Sequence, residues 1–477
     1  VTESEPFDLL IAGGGPAGLA AAASAAAAGL RTVMVDERVT LGGQIYKRMG
    51  PGFTVRDPAA VSRDYVAGQT LIDAAVASGA EILLRTSVLA LEGERAVLHT
   101  EGSPAREVIA RRRLLAPGAQ DRPVAFPGWT LPGVLTAGGA QTLVKTQGVL
   151  PGERIVFAGS GPLAVAFPAQ LSGYGANLEL VIDAGRAPGA VDVLRILGAA
   201  RGNTGLLRDA LYYRTALIRR RIPLRYQRIV VRAEGDGRVE SVTHAAVDSD
   251  WRVIAGSEKT TAADTLCLGY GFQPSFELLR AAGCALAHDE NRGGPCAVLD
   301  EWMRTTAPGV LAAGDGTGVE GSRVAVEEGR LAAIGAAFEL GALTEPDAHR
   351  AAAPIRARLA HARAFALALE PMHRVGPGIF ELTTPETIVC RCEGVSAADL
   401  ASAIGNSADI NVVKSLTRAG MGLCQGRNCQ RQVAALIAAH HGRTIQQIRL
   451  STPRLPARPV ALGAIAHSSA DDPARFQ

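Results

Sequence analysis

At 477 residues the chain is long enough for about three domains, each with a sizeable core. Apolar residues make up 47% and aromatic residues only 4%, the profile of an α/β protein with closely packed helices. Its formal charge of +3, from 49 basic and 46 acidic residues, gives no support to nucleic-acid binding, and no such partner is expected.

The start, Val1 to Asp8, is polar and acidic, with neither a basic n-region nor an apolar h-region. The apolar stretch Leu19 to Ala28 is too short to span a bilayer, so a soluble, cytoplasmic protein is expected. Phe7 to Ala12 is an apolar strand pattern that runs into Gly13-Gly14-Gly15-Pro16-Ala17-Gly18. An alanine-rich helix to Gly29 and a second strand, Thr32 to Val35, follow and end in Asp36-Glu37. This is GxGxxG in a βαβ setting. Gly13 allows the tight turn, Gly15 the approach of a pyrophosphate and Gly18 close helix–strand packing. The phosphates would sit at the helix N-terminus. An acid after the second strand grips ribose hydroxyls; Glu37, by its spacing to the Gly42-Gly43-Gln44 turn, is the first choice and Asp36 the second.

Further along, Leu114-Leu115-Ala116-Pro117-Gly118-Ala119 resembles the turn that closes the first lobe of two-dinucleotide flavoproteins. Thr305 to Gly314-Asp315 resembles the second FAD motif of that class, in which the aspartate bonds the ribityl chain. The candidate nucleotide-binding residues are therefore Gly13, Gly15, Pro16, Ala17, Gly18, Asp36, Glu37, Gly43, Gln44, Val88, Ala116, Gly118, Gly314 and Asp315. A helix from about Val324 to Leu340 should turn its N-terminus towards the isoalloxazine ring. Between these segments, Arg154 to Ala158 and Gly159-Ser160-Gly161-Pro162-Leu163-Ala164 repeat the pattern as GxGxxA, and Leu178 to Ile182 ends in Asp183. This looks like an inserted nicotinamide domain, although Pro168 should kink its helix. No cysteine pair follows Gly43, and Cys267, Cys284 and Cys296 read as small core residues, so a dithiol reductase is disfavoured.

Of the seven cysteines in the chain, Cys390, Cys392, Cys424 and Cys429 fall close together near its end as CxC and Cx4C pairs. Two close pairs separated by a predicted helix bring thiolates together as a metal centre requires. Zinc would accept the same four thiolates; an electron carrier beside a flavin favours a [2Fe-2S] cluster. Ser396-x-x-Asp399 reads as a capping box, and Cys429 as the start of a helix over Gln430 to His440. Arg391 and Arg427 add positive charge, and His440-His441 reads as a helix-end charge rather than a metal site. Asp347 to Thr384 is a connector, helical at first, and the proline-bearing tail after Leu450 should be extended and packed on a neighbour, or disordered.

With these residues in view, the chain resembles the larger flavoprotein component of bacterial membrane-linked amine dehydrogenases: the A subunit of opine oxidase, the B subunit of hydrogen cyanide synthase, and the α subunits of dye-linked proline and hydroxyproline dehydrogenases. The matching segments are Gly42 to Tyr46, Arg122 to Val134, Leu268 to Pro274, Asp300 to Thr305 and Gly420 to Arg427. The C-terminal module looks like a ferredoxin domain of the bacterioferritin-associated type.

The fold so implied is α/β, a flavoprotein with two interleaved Rossmann-like dinucleotide-binding domains plus a small C-terminal helical [2Fe-2S] domain. Residues 1–125 and 291–345 would form the FAD domain, 126–290 the NAD(P)-type insert, 346–386 a linker, 387–450 the iron–sulfur domain and 451–477 a tail. The resemblance implies a relay component carrying FAD and [2Fe-2S], whose catalytic partner is an FAD-containing subunit of the amino-acid-oxidase type. Some relatives add an FMN at the interface between the two or a small ferredoxin-like subunit, and relatives can hold another adenine nucleotide at the first site. A respiratory acceptor would take the electrons, with membrane association only peripheral and through the complex. No catalytic acid, base or nucleophile is recognisable in the chain itself. The competing expectation is a self-sufficient NADH-dependent reductase using Gly159, Gly161 and Asp183.

Overall fold

The computed structural model describes residues 5–199 and 204–466. The outer ends of the acidic start and of the proline-bearing tail lie outside these residues. Two compact units divide the chain: one takes the described residues up to Gln120, Gln273–Ala366 and those from Pro453 onward, the other Asp121–Phe272 and Leu367–Thr452. Among the described residues no helix is long and apolar enough to cross a membrane.

In the first unit the strand order is Glu81–Leu83, Thr32–Val35, Phe7–Ala12, Arg106–Leu115, Arg95–Thr100, Thr86–Glu92, with Val310–Ala312 also paired to Arg106–Leu115. Arg106–Leu115 serves two ladders. Its first half pairs antiparallel with Arg95–Thr100, and its second half pairs parallel with Phe7–Ala12. The parallel strands are apolar on both faces because both are covered: Leu9, Ile11 and Met34 pack with the helices, and Leu10, Val33 and Val35 with Val88, Ala96 and Leu98 of the antiparallel strands. Register then sets the geometry of the site. Ala12 lies opposite both Val35 and Leu115, and Leu115 opposite Ala312. Four strands thus end at one level, and Gly13, Asp36, Ala116 and Ala313 follow immediately at the carboxyl edge, where open α/β sheets bind ligands. The alanine-rich helix Pro16–Ala27 packs into the core beside the helix Ser322–Glu339, with Ala21, Ala25, Ala332 and Ala336 fully buried.

The second unit repeats the plan. Its parallel sheet runs Leu224–Tyr226, Leu178–Asp183, Ile155–Gly159, Thr265–Gly269, Val134–Thr136. The helix Leu163–Gly173 continues through Pro168 without breaking. Pro168 removes only a bond to the first turn, and the burial of Phe167 and Leu171 on either side holds the helix.

The cysteine-bearing segment has its own small core, which includes Leu400, Ile404, Val413, Val433 and Ile437. It opens with the hairpin Ile388–Cys390 and Val395–Ser396. Two helices, Ala397–Ile404 and Ile410–Thr417, separate the cysteine pairs where one was expected. The turn at Gly405-Asn406-Ser407 splits them, and the Asp409 side chain caps the second by accepting from the Asn411 amide at 2.7 Å. The expected capping box is present in full, Ser396 and Asp399 bonding each other's backbone amides. The last helix, Gln430–His440, begins at Cys429 as its N-cap. The connector is the long helix Glu345–His373 followed by a short turn of 3-10 helix, Pro377–Phe380.

Candidate cofactor sites

Gly13 holds φ at +117°, and a Cβ there would lie 2.2 Å from the carbonyl oxygen of Ala116, so only glycine fits. The chain then enters Pro16–Ala27 with Gly15 as N-cap and no side chain bonded to the first turn, which leaves backbone donors for a phosphate. Gly42 donates to the carbonyl of Gly14 at 2.9 Å, and Gly43 lies against Gly15. That contact brings the glycine pair and the fingerprint to one spot, with Gln44 exposed beside them.

The two acids after the second strand divide their roles. Asp36 is buried; its Oδ2 accepts from the Gly14 amide at 2.6 Å and its Oδ1 from the Arg38 amide at 2.7 Å. Burial pushes its carboxyl above the ordinary range, the two amides opposing that rise. Asp36 therefore braces the loop. Glu37 faces outward and meets Arg458 through two contacts, Oε1 to Nε at 2.5 Å and Oε2 to Nη2 at 2.8 Å. The Val88 side chain is buried in the core, so this residue presents backbone, not side chain, to any nucleotide.

At the end of Val310–Ala312, the Gly314 amide donates to Glu328 Oε2 at 2.7 Å. Asp315 Oδ1 accepts from the amides of Glu320 and Gly321 at 3.2 and 3.1 Å. Burial raises the Asp315 carboxyl, and raises that of Glu328 to about 7, although Arg363 reaches Glu328 Oε1 at 2.5 Å. Arg292 pairs with Glu320 at 2.8 Å and completes this network. The helix Ser322–Glu339 starts beyond it with Gly321 as N-cap and no side-chain cap, leaving its first amides as donors. Sequence reasoning misses Glu328, Arg363 and Arg292. One signal exists: Glu328 falls on the apolar stripe of its helix, four residues after Val324 and three before Leu331.

In the second unit the GxGxxA turn is formed, but Asp183 is inward-facing. It is 4% exposed, accepts from the amide of Gly185 at 2.8 Å and from that of Gly161, and burial raises it to about 7.

The four clustered cysteines fall into two pairs. Cys390 is hydrogen-bonded to Cys429, and Cys392 to Cys424. The pairs lie close enough for Cys429 to feel the charges of both Cys392 and Cys424. Its Cys429 partner, with the amides of Gly420, Glu393 and Cys392, draws the Cys390 thiol down to about 5, and the same pairing pushes Cys429 upward. The amides of Asn428 and Gly426 bond Cys424, and Arg427 donates to the Cys424 carbonyl at 3.1 Å. Cys390 and Cys429 are buried while Cys392 is exposed. Among the described residues no three His, Cys, Asp or Glu side chains are grouped as a single metal ion requires. Four thiolates in two pairs are a donor set that either a zinc ion or a two-iron cluster can use. Cys267, Cys284 and Cys296 are buried elsewhere, as expected; burial raises the Cys267 thiol to about 12.

Comparison with known proteins adds to this geometry. Residues 7–329 match the family profile described as pyridine nucleotide-disulphide oxidoreductase, and residues 384–469 match the sarcosine oxidase A3 domain. The A subunit of opine oxidase from Agrobacterium tumefaciens (strain Ach5) is 34% identical over 97% of this chain and 92% of its own length. Hydrogen cyanide synthase subunit HcnB of Pseudomonas aeruginosa is 33% identical over 95% of this chain and 97% of its own. Among solved structures, L-proline dehydrogenase from P. horikoshii superposes with a TM-score of 0.70 at 23% identity, covering 96% of this chain and 79% of that one. That likeness concerns the fold.

Proposed function

The chain belongs to the pyridine nucleotide-disulphide oxidoreductase family, and on that premise we propose that it is the electron-transferring flavoprotein and iron–sulfur subunit of a heteromeric amine dehydrogenase. The observation that carries this reading is the presence, in one chain, of a formed dinucleotide fingerprint and two thiol pairs suited to a two-metal cluster. FAD would bind at the carboxyl edge of the first sheet. There the amides after Gly15 receive phosphate, Glu37 faces the ribose and Asp315 the ribityl chain. A [2Fe-2S] cluster would take Cys390 and Cys429 on one iron and Cys392 and Cys424 on the other. Flavin accepts two electrons and releases them singly, whereas such a cluster carries one at a time, so the pair converts hydride chemistry into single-electron transfer.

On this reading residues 1–125 and 291–345 hold the flavin, 126–290 retain a nicotinamide-type fold, 346–386 connect, 387–450 carry the cluster and 451–477 form a tail. An amino-acid-oxidase-type partner with its own FAD oxidises the C–N bond of an amine, imino acid or opine, and a respiratory acceptor takes the electrons. A partner-shared FMN and a small ferredoxin-like protein fit the same scheme, and the complex works in the cytoplasm or at the membrane face. The named relatives support this character: each is one subunit of a larger enzyme by name.

The NADH-dependent reductase is the weaker reading, because the Asp183 carboxylate is occupied with the amides of Gly185 and Gly161. An anaerobic titration of the purified chain with NADH, following flavin and iron–sulfur absorption together, separates the two. We expect no bleaching by NADH and full bleaching by dithionite. Rapid bleaching of both centres by NADH would instead identify a reductase that needs no partner.

A further inference from the structure

Arg48 is a cation enclosed by the first unit without a polar partner. It is 8% exposed, and its Nε, Nη1 and Nη2 all lack a hydrogen-bond partner among the described residues. What it does meet is the Tyr65 ring, whose centroid lies 4.1 Å from the guanidinium carbon. A ring face attracts the charge but accepts from none of the in-plane N–H donors. Enclosing a guanidinium with its donors unsatisfied is among the more costly arrangements a fold can hold, and an arriving oxygen acceptor relieves it.

The place of Arg48 says what that acceptor belongs to. The Tyr46 amide donates to the Gly42 carbonyl at 3.2 Å, and Gly42 in turn donates to Gly14, so the segment is tied to the fingerprint. The Tyr46 side chain lies against Gly68 of the helix Arg63–Val76, and its hydroxyl bonds Ser322, the first residue of Ser322–Glu339. Arg48 lies two residues further along this segment, and Tyr65, whose ring it meets, stands on the same helix as Gly68, against which Tyr46 packs. Lys47, itself 2% exposed, and Arg323 add positive charge to the same segment and helix start, against Asp64 on the facing helix.

We propose that Arg48 is an anion anchor of the nucleotide-binding lobe: its guanidinium receives oxygen acceptors of the bound flavin nucleotide. The acceptors are pyrophosphate oxygens or the pyrimidine carbonyls of the ring, which present the same chemistry to a guanidinium fork. The inference rests on the flavin reading of the first site.

The test uses the full-length chain, stripped of flavin and titrated with FAD and with ADP, as wild type, Arg48→Met and Arg48→Lys. Arg48→Met should weaken FAD binding at least tenfold, with the Lys variant between. Its flavin-free form should melt above flavin-free wild type, because an unsatisfied buried charge has been removed; a purely structural arginine would give the opposite sign. If ADP weakens in step with FAD, the pyrophosphate is the acceptor. If ADP is unaffected and the flavin midpoint potential shifts in the Lys variant, the ring is. FAD binding within twofold of wild type in both variants would overturn the role of Arg48 while leaving the flavin site standing. A wild-type chain that takes up ADP but no FAD would overturn the flavin reading and this inference with it. Should Arg48→Met not fold, the Lys variant decides by the same titrations.

Discussion

The Cys390 thiol ionises at about 5 because Cys429 and three backbone amides bond its sulfur, while Cys429 is pushed the other way. Metal binding requires all four sulfurs as thiolates, so assembly releases protons, the Cys429 proton being the hardest to remove. Cys424→Ser or Cys429→Ser should therefore abolish the visible absorption of the centre while flavin per chain stays unchanged. Metal analysis of anaerobically purified wild type should give iron; zinc in its place would sink the cluster assignment. Asp315→Ala is expected to lower flavin content several-fold, read from the protein-bound absorption. A third test concerns Asp183, whose carboxyl lies at about 7 in the fold against an ordinary value of 3.8. Between those values the folded chain keeps a proton that the unfolded chain has released. Stability from this group is thus complete below about pH 4 and lost as pH rises through about 7. Asp183→Asn does not titrate and keeps an acceptor for Gly185. Its melting temperature relative to wild type should rise by a few degrees between pH 5 and pH 8, as thermal melts would show. Glu328, raised in the same direction, leaves a residual slope in the variant.

At the scale of elements, the helices Pro16–Ala27 and Ser322–Glu339 approach closely. A Cβ on Gly329 would lie 2.0 Å from the carbonyl oxygen of Ala17. Backbone cannot yield there without parting the helices. Gly329→Val should cost roughly 2–4 kcal/mol in chemical denaturation and reduce flavin content, since Ala17 belongs to the fingerprint turn. Much of this architecture is legible locally. The strand before Gly13, the capping box at Ser396 and the helix from Gln430 follow from period, cap and glycine rules that act within a few residues. The second helix between the cysteine pairs has a local signal too, in Gly405-Asn406-Ser407 and the Asp409 cap, which an expectation of one helix passes over. Partnerships across long separations carry no such signal. Glu328 meets Arg363, 35 residues away, and Arg48, outside any helix or strand, meets the Tyr65 ring of the helix Arg63–Val76. No pattern of spacing encodes these, because the sheet brings them together only after it forms.

At the scale of the whole molecule, the tail brings the end of the chain back to the first unit. Ala457 donates to the carbonyl of Leu89, Ala464 accepts from Ala105, and Arg458 reaches Glu37 across 421 residues of sequence. The tail, expected to be extended, instead forms the short helix Leu462–Ala466 near the end of its described part, and it sets a guanidinium against the acid proposed to face the ribose. Both side chains remain substantially exposed, at 38% and 46%, so the ion pair contributes no more than about 1 kcal/mol. The backbone bonds, not the charges, hold the tail. On the proposed flavin reading, Arg458 would act mainly by orienting the Glu37 carboxylate, which retains lone pairs for two ribose hydroxyls. Arg458→Ala should accordingly change the melting temperature of the flavin-free chain by only a degree or two, yet weaken FAD several-fold in fluorescence titrations. Exchanging the charges, Glu37→Arg with Arg458→Glu, rebuilds the ion pair but removes the acceptor facing the ribose. Stability should return to the wild-type value while FAD affinity does not. Recovery of both together would show that Glu37 serves the tail alone and that the ribose is held elsewhere.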